Sequence, residues 1–151
     1  MGLKDTRHPG RLEMRAGGGS QPAVLFDGAH NPAGAFALRS YLIEFMSPPP
    51  PLTILFAAMS DKDLVQITNT LFPLAHRIVL SEIPNSPRAA KISVLKHLAL
   101  QHLNESCIAE ALSPEEAWRK AQALTELEGI ICVTGSLYLI GEIQSLLELQ
   151  K

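Results

Sequence analysis

Ala23-Val24-Leu25-Phe26-Asp27-Gly28-Ala29-His30-Asn31-Pro32 is the stretch that decides how this chain folds: an apolar run of strand length, then a polar turn, then an amphipathic segment. Gly-Ser-Gln-Pro bounds the run on its amino side. Pro32 suits the first turn of a helix, where a missing N–H costs nothing, and Asn31 suits the cap. A strand that opens directly into a helix is the repeating unit of an α/β sheet, and in such sheets ligands sit outside the carboxyl ends of the strands. Asp-Gly and Asn-Pro are also ordinary turn formers. The hexapeptide Asp27–Pro32 therefore reads as chemistry only through the company it keeps.

The rest of the chain repeats the unit. Phe36, Leu38, Leu42, Ile43 and Met46 mark a helix with a buried face, which Ser47-Pro48-Pro49-Pro50-Pro51 ends abruptly. Residues 52–58 form a continuous apolar run, the pattern of a parallel strand covered on both faces. A helix over Asp63 to Leu74, a strand over Arg77 to Leu80 and a helix over Ala89 to Leu103 follow. Cys107-Ile108-Ala109 reads as a short strand, and Ser113-Pro114-Glu115-Glu116 as a helix start with a capping-box acid. Gly129 closes that helix; Ile130 to Thr134 is a strand, and Ser136 to Leu149 is the terminal helix. Before the hexapeptide, Arg11 to Ala16 and Ala23 to Asp27 form an antiparallel hairpin around Gly17-Gly18-Gly19-Ser20. The expected fold is a three-layer, Rossmann-like α/β domain with a mostly parallel sheet and an N-terminal antiparallel hairpin. The Gly triplet has no following Lys and no helix, so it is a hairpin turn and not a phosphate loop.

Length and composition agree with one domain over residues 1–151, large enough for a true core. Hydrophobic residues make up 46% and charged residues 19%, which excludes a disordered chain. A net charge of -2 with scattered basic residues leaves no footprint for nucleic acid. No apolar run approaches the roughly 18 residues that span a bilayer, so no membrane partner is expected. Cys107 and Cys132 lie in apolar segments, and neither they nor His76, His97 and His102 have metal-ligand spacing; both cysteines read as buried reduced thiols of a cytoplasmic protein, and no metal site is expected.

Three turns follow candidate parallel strands: Asp27 to Pro32, Ser60 to Asp63, and Thr134 to Ser136. Parallel strands place them on one edge, where they can share a crevice, and helix N-termini there favour anions. Arg11 has the guanidinium fork that holds a phosphate; a solvated surface arginine is the competing reading. Asp27 is placed to orient a ribose or to fix the turn. His30 is a natural hydrogen-bond partner for a ligand near neutral pH. Asn31 serves equally as helix cap or ligand contact. Ser136, at a helix N-terminus, is placed to bind a carboxylate. Tyr138 reads as core or edge packing, Arg88 as an exposed loop residue with a possible ligand role, and His76, His97 and His102 as surface residues.

Taken together, Pro9-Gly10-Arg11-Leu12-Glu13, Asp27-Gly28-Ala29-His30-Asn31-Pro32 and Thr134-Gly135-Ser136-Leu137-Tyr138-Leu139 resemble the C-terminal domain of folylpolyglutamate synthase/dihydrofolate synthase, the folate branch of the Mur ligase family. Pro84, Pro87, Arg88 and Ala89 fit a further block of that family, and His8 departs from the Trp that many relatives carry before Pro-Gly-Arg. The resemblance runs from about Gly2 to about Leu147. It implies an ATP-dependent amide ligation in which a carboxylate of dihydropteroate or folate is phosphorylated and L-glutamate attacks the acyl phosphate, with magnesium offsetting phosphoryl charge.

By the same resemblance, Arg11, Asp27 and Asn31 lie at the nucleotide, His30 near the reacting carboxyl and amine, and Lys62, Ser136 and Arg88 at the substrate, where Lys62 neutralises the amino acid's carboxylate. Asp27 and His30 are the expected catalytic residues. No G-x-x-x-x-G-K-[ST] occurs in the chain. In relatives that loop, the metal ligands and most folate contacts belong to an N-terminal ATPase domain. The chain is therefore expected to be an excised C-terminal domain, inactive alone, with Met1 an artificial start and the ATPase domain as its partner. The alternatives are the corresponding domain of a muramyl peptide ligase, against which "TGSLYL" and "PGRLE" speak, and a free-standing, non-catalytic binding domain.

Overall fold

A computed structural model describes residues 12–149. Among them, six strands form one sheet: β1 (Glu13–Arg15), β2 (Ala23–Asp27), β3 (Leu52–Phe56), β4 (Arg77–Ser81), β5 (Ile108–Ala111) and β6 (Ile130–Thr134). The helices are α1 (Pro32–Phe45), α2 (Leu64–Leu71), α3 (Ile92–Ala99), α4 (Pro114–Leu124) and α5 (Leu137–Leu149). The order across the sheet is β1-β2-β6-β3-β4-β5. β1 pairs with β2 antiparallel, and every other pair is parallel. The three-layer sheet with an N-terminal hairpin is thus the observed fold.

Alternation along the strands builds two cores. Leu25, Ile54, Phe56, Ile78, Leu80 and Cys132 face α1, α2 and α3. Val24, Phe26, Leu55, Val79, Ile131 and Val133 face α4 and α5, with Trp118 the largest buried side chain there. The chain therefore runs β2 to β5 through helices on one face and returns through α4, on the other, to β6. That reversal makes β6, between β2 and β3, the switch point of the sheet.

The structure corrects several expectations. α1 packs through Ala35, Leu38 and Leu42, spaced three and four apart, whereas Phe36 is 62% exposed and Ile43 is also exposed. α3 is shorter than the expected span over 89–103. Its amino side is taken by a loop that pairs with the segment after β3: Ala90 N–H donates to the Ala58 carbonyl (2.8 Å) and Ser60 N–H to that of Arg88 (2.6 Å). Its carboxyl side unwinds into turns closed by Leu103 N–H on Ala99 (3.0 Å). Gly129 does not end α4. The helix stops at Leu124, where Thr125 turns extended, donates to the Ala121 carbonyl (2.6 Å) and shares a hydrogen bond with the Thr53 hydroxyl (2.7 Å). Gly129 is needed instead for close approach, since a Cβ there would sit 2.8 Å from the Pro51 carbonyl.

Cys107 lies in a 3-10 turn, half-buried, and only Cys132 is a buried strand thiol, its pKa pushed up by burial. At α4, Ser113 Oγ accepts from Glu116 N–H (3.2 Å) as expected, while the Glu116 carboxylate reaches one residue further back, to Leu112 N–H (2.9 Å). No helix among the described residues is long and apolar enough to cross a membrane.

Candidate functional site

Register fixes the site. Asp27 pairs with Thr134, and Thr134 with Phe56, so β2, β6 and β3 end level with one another. The turns after them all leave from the carboxyl edge. α1 and α5 then depart to opposite faces, opening a crevice above β6.

Three helix starts border this edge, each capped by a side chain. Asn31 Oδ1 accepts from Gly34 N–H (2.7 Å), Asp63 Oδ1 from Gln66 N–H (3.2 Å), and Ser136 Oγ from Tyr138 (3.1 Å) and Leu139 (3.4 Å). Of the two readings of Asn31, the cap is the one whose hydrogen bond is present. Ser136 is buried, and its hydroxyl accepts from the backbone, which leaves its proton as a donor. Gly135 makes the turn possible. Its φ is +101°, and a Cβ would lie 2.2 Å from the Ala57 carbonyl.

Asp27 is the last residue of β2 and only 4% exposed, not a turn residue in solvent. Oδ1 accepts from Ala29 N–H (2.9 Å) and Oδ2 from Leu12 N–H (3.1 Å), tying the hexapeptide to the segment before β1. His30 is exposed, with Nδ1 2.9 Å from the Gly28 carbonyl. A carbonyl only accepts, so Nδ1 carries the proton and Nε2 is left to meet a ligand.

Lys62, half-buried, and exposed Arg88 border the same edge from the β3 side. Arg88 Nη2 lies 2.8 Å from Asp61 Oδ2, and this guanidinium, hydrogen-bonded to the carboxylate, holds the Asp61 carboxyl below its usual range. Asp61 is a neighbour that sequence reasoning passed over; its position beside Lys62 was the available signal. Tyr138, expected in packing, is 43% exposed at the start of α5. Arg11 lies outside the described residues. The structure thus brings Asp27, His30, Asn31, Lys62, Arg88 and Ser136 to one edge. Among the described residues no group of three His, Cys, Asp or Glu could hold a metal ion.

Fold and edge together define a three-layer α/β domain with its polar turns gathered at one switch point. The family model for the dihydrofolate synthetase C-terminal domain matches residues 11–149, and the chain belongs to that family. It is similar to the folylpolyglutamate synthase of Lacticaseibacillus casei, 29% identical over 150 residues that cover 97% of this chain and 31% of that one. Among solved structures, the Mycobacterium tuberculosis folylpolyglutamate synthase complexed with ADP is 29% identical with a TM-score of 0.80, covering 94% of this chain and 33% of the other. A Yersinia pestis bifunctional folylpolyglutamate synthase/dihydrofolate synthase complexed with AMPPNP and Mn shares the fold at 23% identity, with a TM-score of 0.79 and coverage of 97% and 33%. The chain spans about a third of the length of these relatives.

Proposed function

We propose that this chain is the C-terminal domain of a cytoplasmic, ATP-dependent folate ligase that adds L-glutamate to dihydropteroate or folate, and that it is inactive without an N-terminal ATPase domain. The observation that carries the reading is the level register of β2, β6 and β3, which gathers the two most specific motif turns at one crevice. Membership of the dihydrofolate synthetase family favours the folate branch over a muramyl peptide ligase.

The residues fit an anionic ligand. Helix starts offer N–H groups, and Lys62 and Arg88 add positive charge beside them. Bound ATP supplies the phosphoryl group that activates the folate carboxylate. Lys62 and the Ser136 hydroxyl hold the α-carboxylate of glutamate, so that its amine points at the activated carbon. His30 Nε2 stands at the reacting groups, able to hold a proton or a hydrogen bond as charge develops. Asp27 keeps the hexapeptide in place and, with Asn31 and Arg11, borders the nucleotide. Magnesium is a different matter. The described residues offer no ligand cluster for it, and in this reading the metal is held by the ATPase domain.

Positioning supplies most of the catalysis in phosphoryl transfer. Without a phosphate loop, this chain cannot orient the γ-phosphate. The test is an assay of radiolabelled L-glutamate incorporation into dihydropteroate and tetrahydrofolate, with ATP, using the 151-residue chain and the same chain joined to its ATPase domain. The joined protein should ligate and the chain alone should not. Ligation by the chain alone would overturn the proposed division of labour; none by either protein would favour a non-catalytic binding domain.

A further inference from the structure

At the carboxyl end of β6, Thr134 carries a hydroxyl that is 0% exposed and has no hydrogen-bond partner. Such atoms are rare in folded proteins, because leaving a buried donor unpaired costs the full desolvation of that group. Trp118 Nε1 shares this state but lies within the apolar layer under α4 and α5. Thr134 has different neighbours. Ile130 and Cys132 point to the α1–α3 face, so by strand alternation Thr134 does too. Leu25 points to the same face, which places Asp27 there as well. Asp27 and Thr134 are register partners on adjacent strands, a separation of about 5 Å. On the other side of Thr134, in register, stands Phe56. The hydroxyl thus lies between an aromatic side chain and a carboxylate, and only the carboxylate is a strong acceptor.

Among the donors that hold Asp27 are the backbone N–H groups of Leu12 and Ala29. Both belong to loops that border the crevice. A ligand that draws either loop towards itself takes a donor away from Asp27. Thr134 sits on the central strand, and its place does not depend on those loops.

We propose that Thr134 is a positioning residue for the ligand-bound state: its hydroxyl donates to the Asp27 carboxylate once a ligand engages the loops, and keeps that carboxylate aimed at the crevice. The inference rests on the ligase reading. The free chain carries an unsatisfied hydroxyl, the bound protein does not, and the difference favours binding.

Thr134→Val tests this, because it keeps the shape and removes the hydroxyl. In the 151-residue chain it should raise the melting temperature by a few degrees, since an unpaired polar atom leaves the interior. In the joined ligase it should lower kcat/KM for ATP about tenfold, the size expected for one hydrogen bond to a charged group. Thr134→Ser should stay within about threefold of wild type in the same assay. A valine variant with an unchanged or lower melting temperature overturns the proposal, because the hydroxyl is then already satisfied. A valine enzyme with wild-type kinetics overturns it too, because the hydroxyl is then idle. A wild-type ligase without activity removes the ligase reading itself, and this inference falls with it; that result is distinct from an active wild type with an equally active valine variant.

Discussion

The two edges of the sheet are built on opposite plans. The carboxyl edge is polar and open. It collects three capped helix starts, the Asp27 carboxylate, and the side chains of His30, Lys62 and Arg88. The amino edge is apolar and hollow: Leu42, Leu52, Leu74 and Ile130 line a cavity of about 320 Å³ below the proline connector. Its main polar group, His76, turns Nδ1 inward to accept from Leu52 N–H (3.0 Å). α1 joins the two, with Asn31 capping one end and Leu42 and Ile43 at the other. Parallel strands with crossover helices impose this asymmetry, since every following helix begins at the carboxyl edge and brings its free N–H groups there. The apolar cavity is therefore not where the polar groups gather.

The comparison breaks first on His30. His30→Ala in the joined ligase should lower turnover about a hundred- to a thousandfold, roughly 3 to 4 kcal/mol of transition-state stabilisation, with no loss of melting temperature because the side chain is exposed. Asp27→Ala should cut turnover as deeply and also destabilise the chain, because it strands the N–H groups of Ala29 and Leu12. Steady-state kinetics beside thermal melts separate the two; wild-type kinetics in both variants would reduce the hexapeptide to a turn.

At the other edge the expected effect is on stability alone. Leu42→Ala should lower unfolding free energy by about 2 to 4 kcal/mol in urea titrations while leaving kcat near wild type. A large loss of kcat in the folded variant would show that the edges are coupled through α1.

Smaller effects sharpen the carboxyl edge. Ser136→Ala should cost about 1 kcal/mol as a lost cap and raise KM for glutamate more than it lowers kcat. The reverse split would place the hydroxyl at the reacting centre. Smallest is the Arg88–Asp61 pair. Because Arg88 lowers the Asp61 pKa, the pair's contribution is present above the ordinary value of 3.8 and fades as pH falls through the lower folded value. NMR titration of Arg88→Ala should show Asp61 moving back up towards 3.8. An unmoved Asp61 would mean the exposed pair does not persist in solution.

Most of this plan was legible in the sequence, for reasons that differ along the chain. β3 and β6 were plain because strands covered on both faces read as near-continuous apolar runs, here broken only by Thr53 and Thr134. The α1 and α4 starts were plain because Asn31-Pro32 and Ser113-Pro114 carry their own caps. The amino boundary of α3 was not, because it is set by tertiary hydrogen bonds between 88–90 and 58–60, which no local pattern announces. Phe36 and Ile43 misled for a related reason: they are apolar, but α1 packs on a narrow stripe of Ala35, Leu38 and Leu42. At the site, the described turns after β2, β3 and β6 came to one edge, as parallel strands require. The burial of Asp27, the unpaired Thr134 hydroxyl and the Asp61 counter-ion did not show, because each depends on which strand lies beside which.

Gly135 has a consequence at the level of heredity. Every missense change at a glycine codon installs a Cβ, and at this position even the smallest would press into the Ala57 carbonyl and the Phe56 ring. The backbone φ of +101° disfavours any such residue a second time. Position 135 is therefore a mutational blank. In a library of random variants selected for a working gene, it should return glycine alone, while Gly18, with open space around it, fills with alternatives.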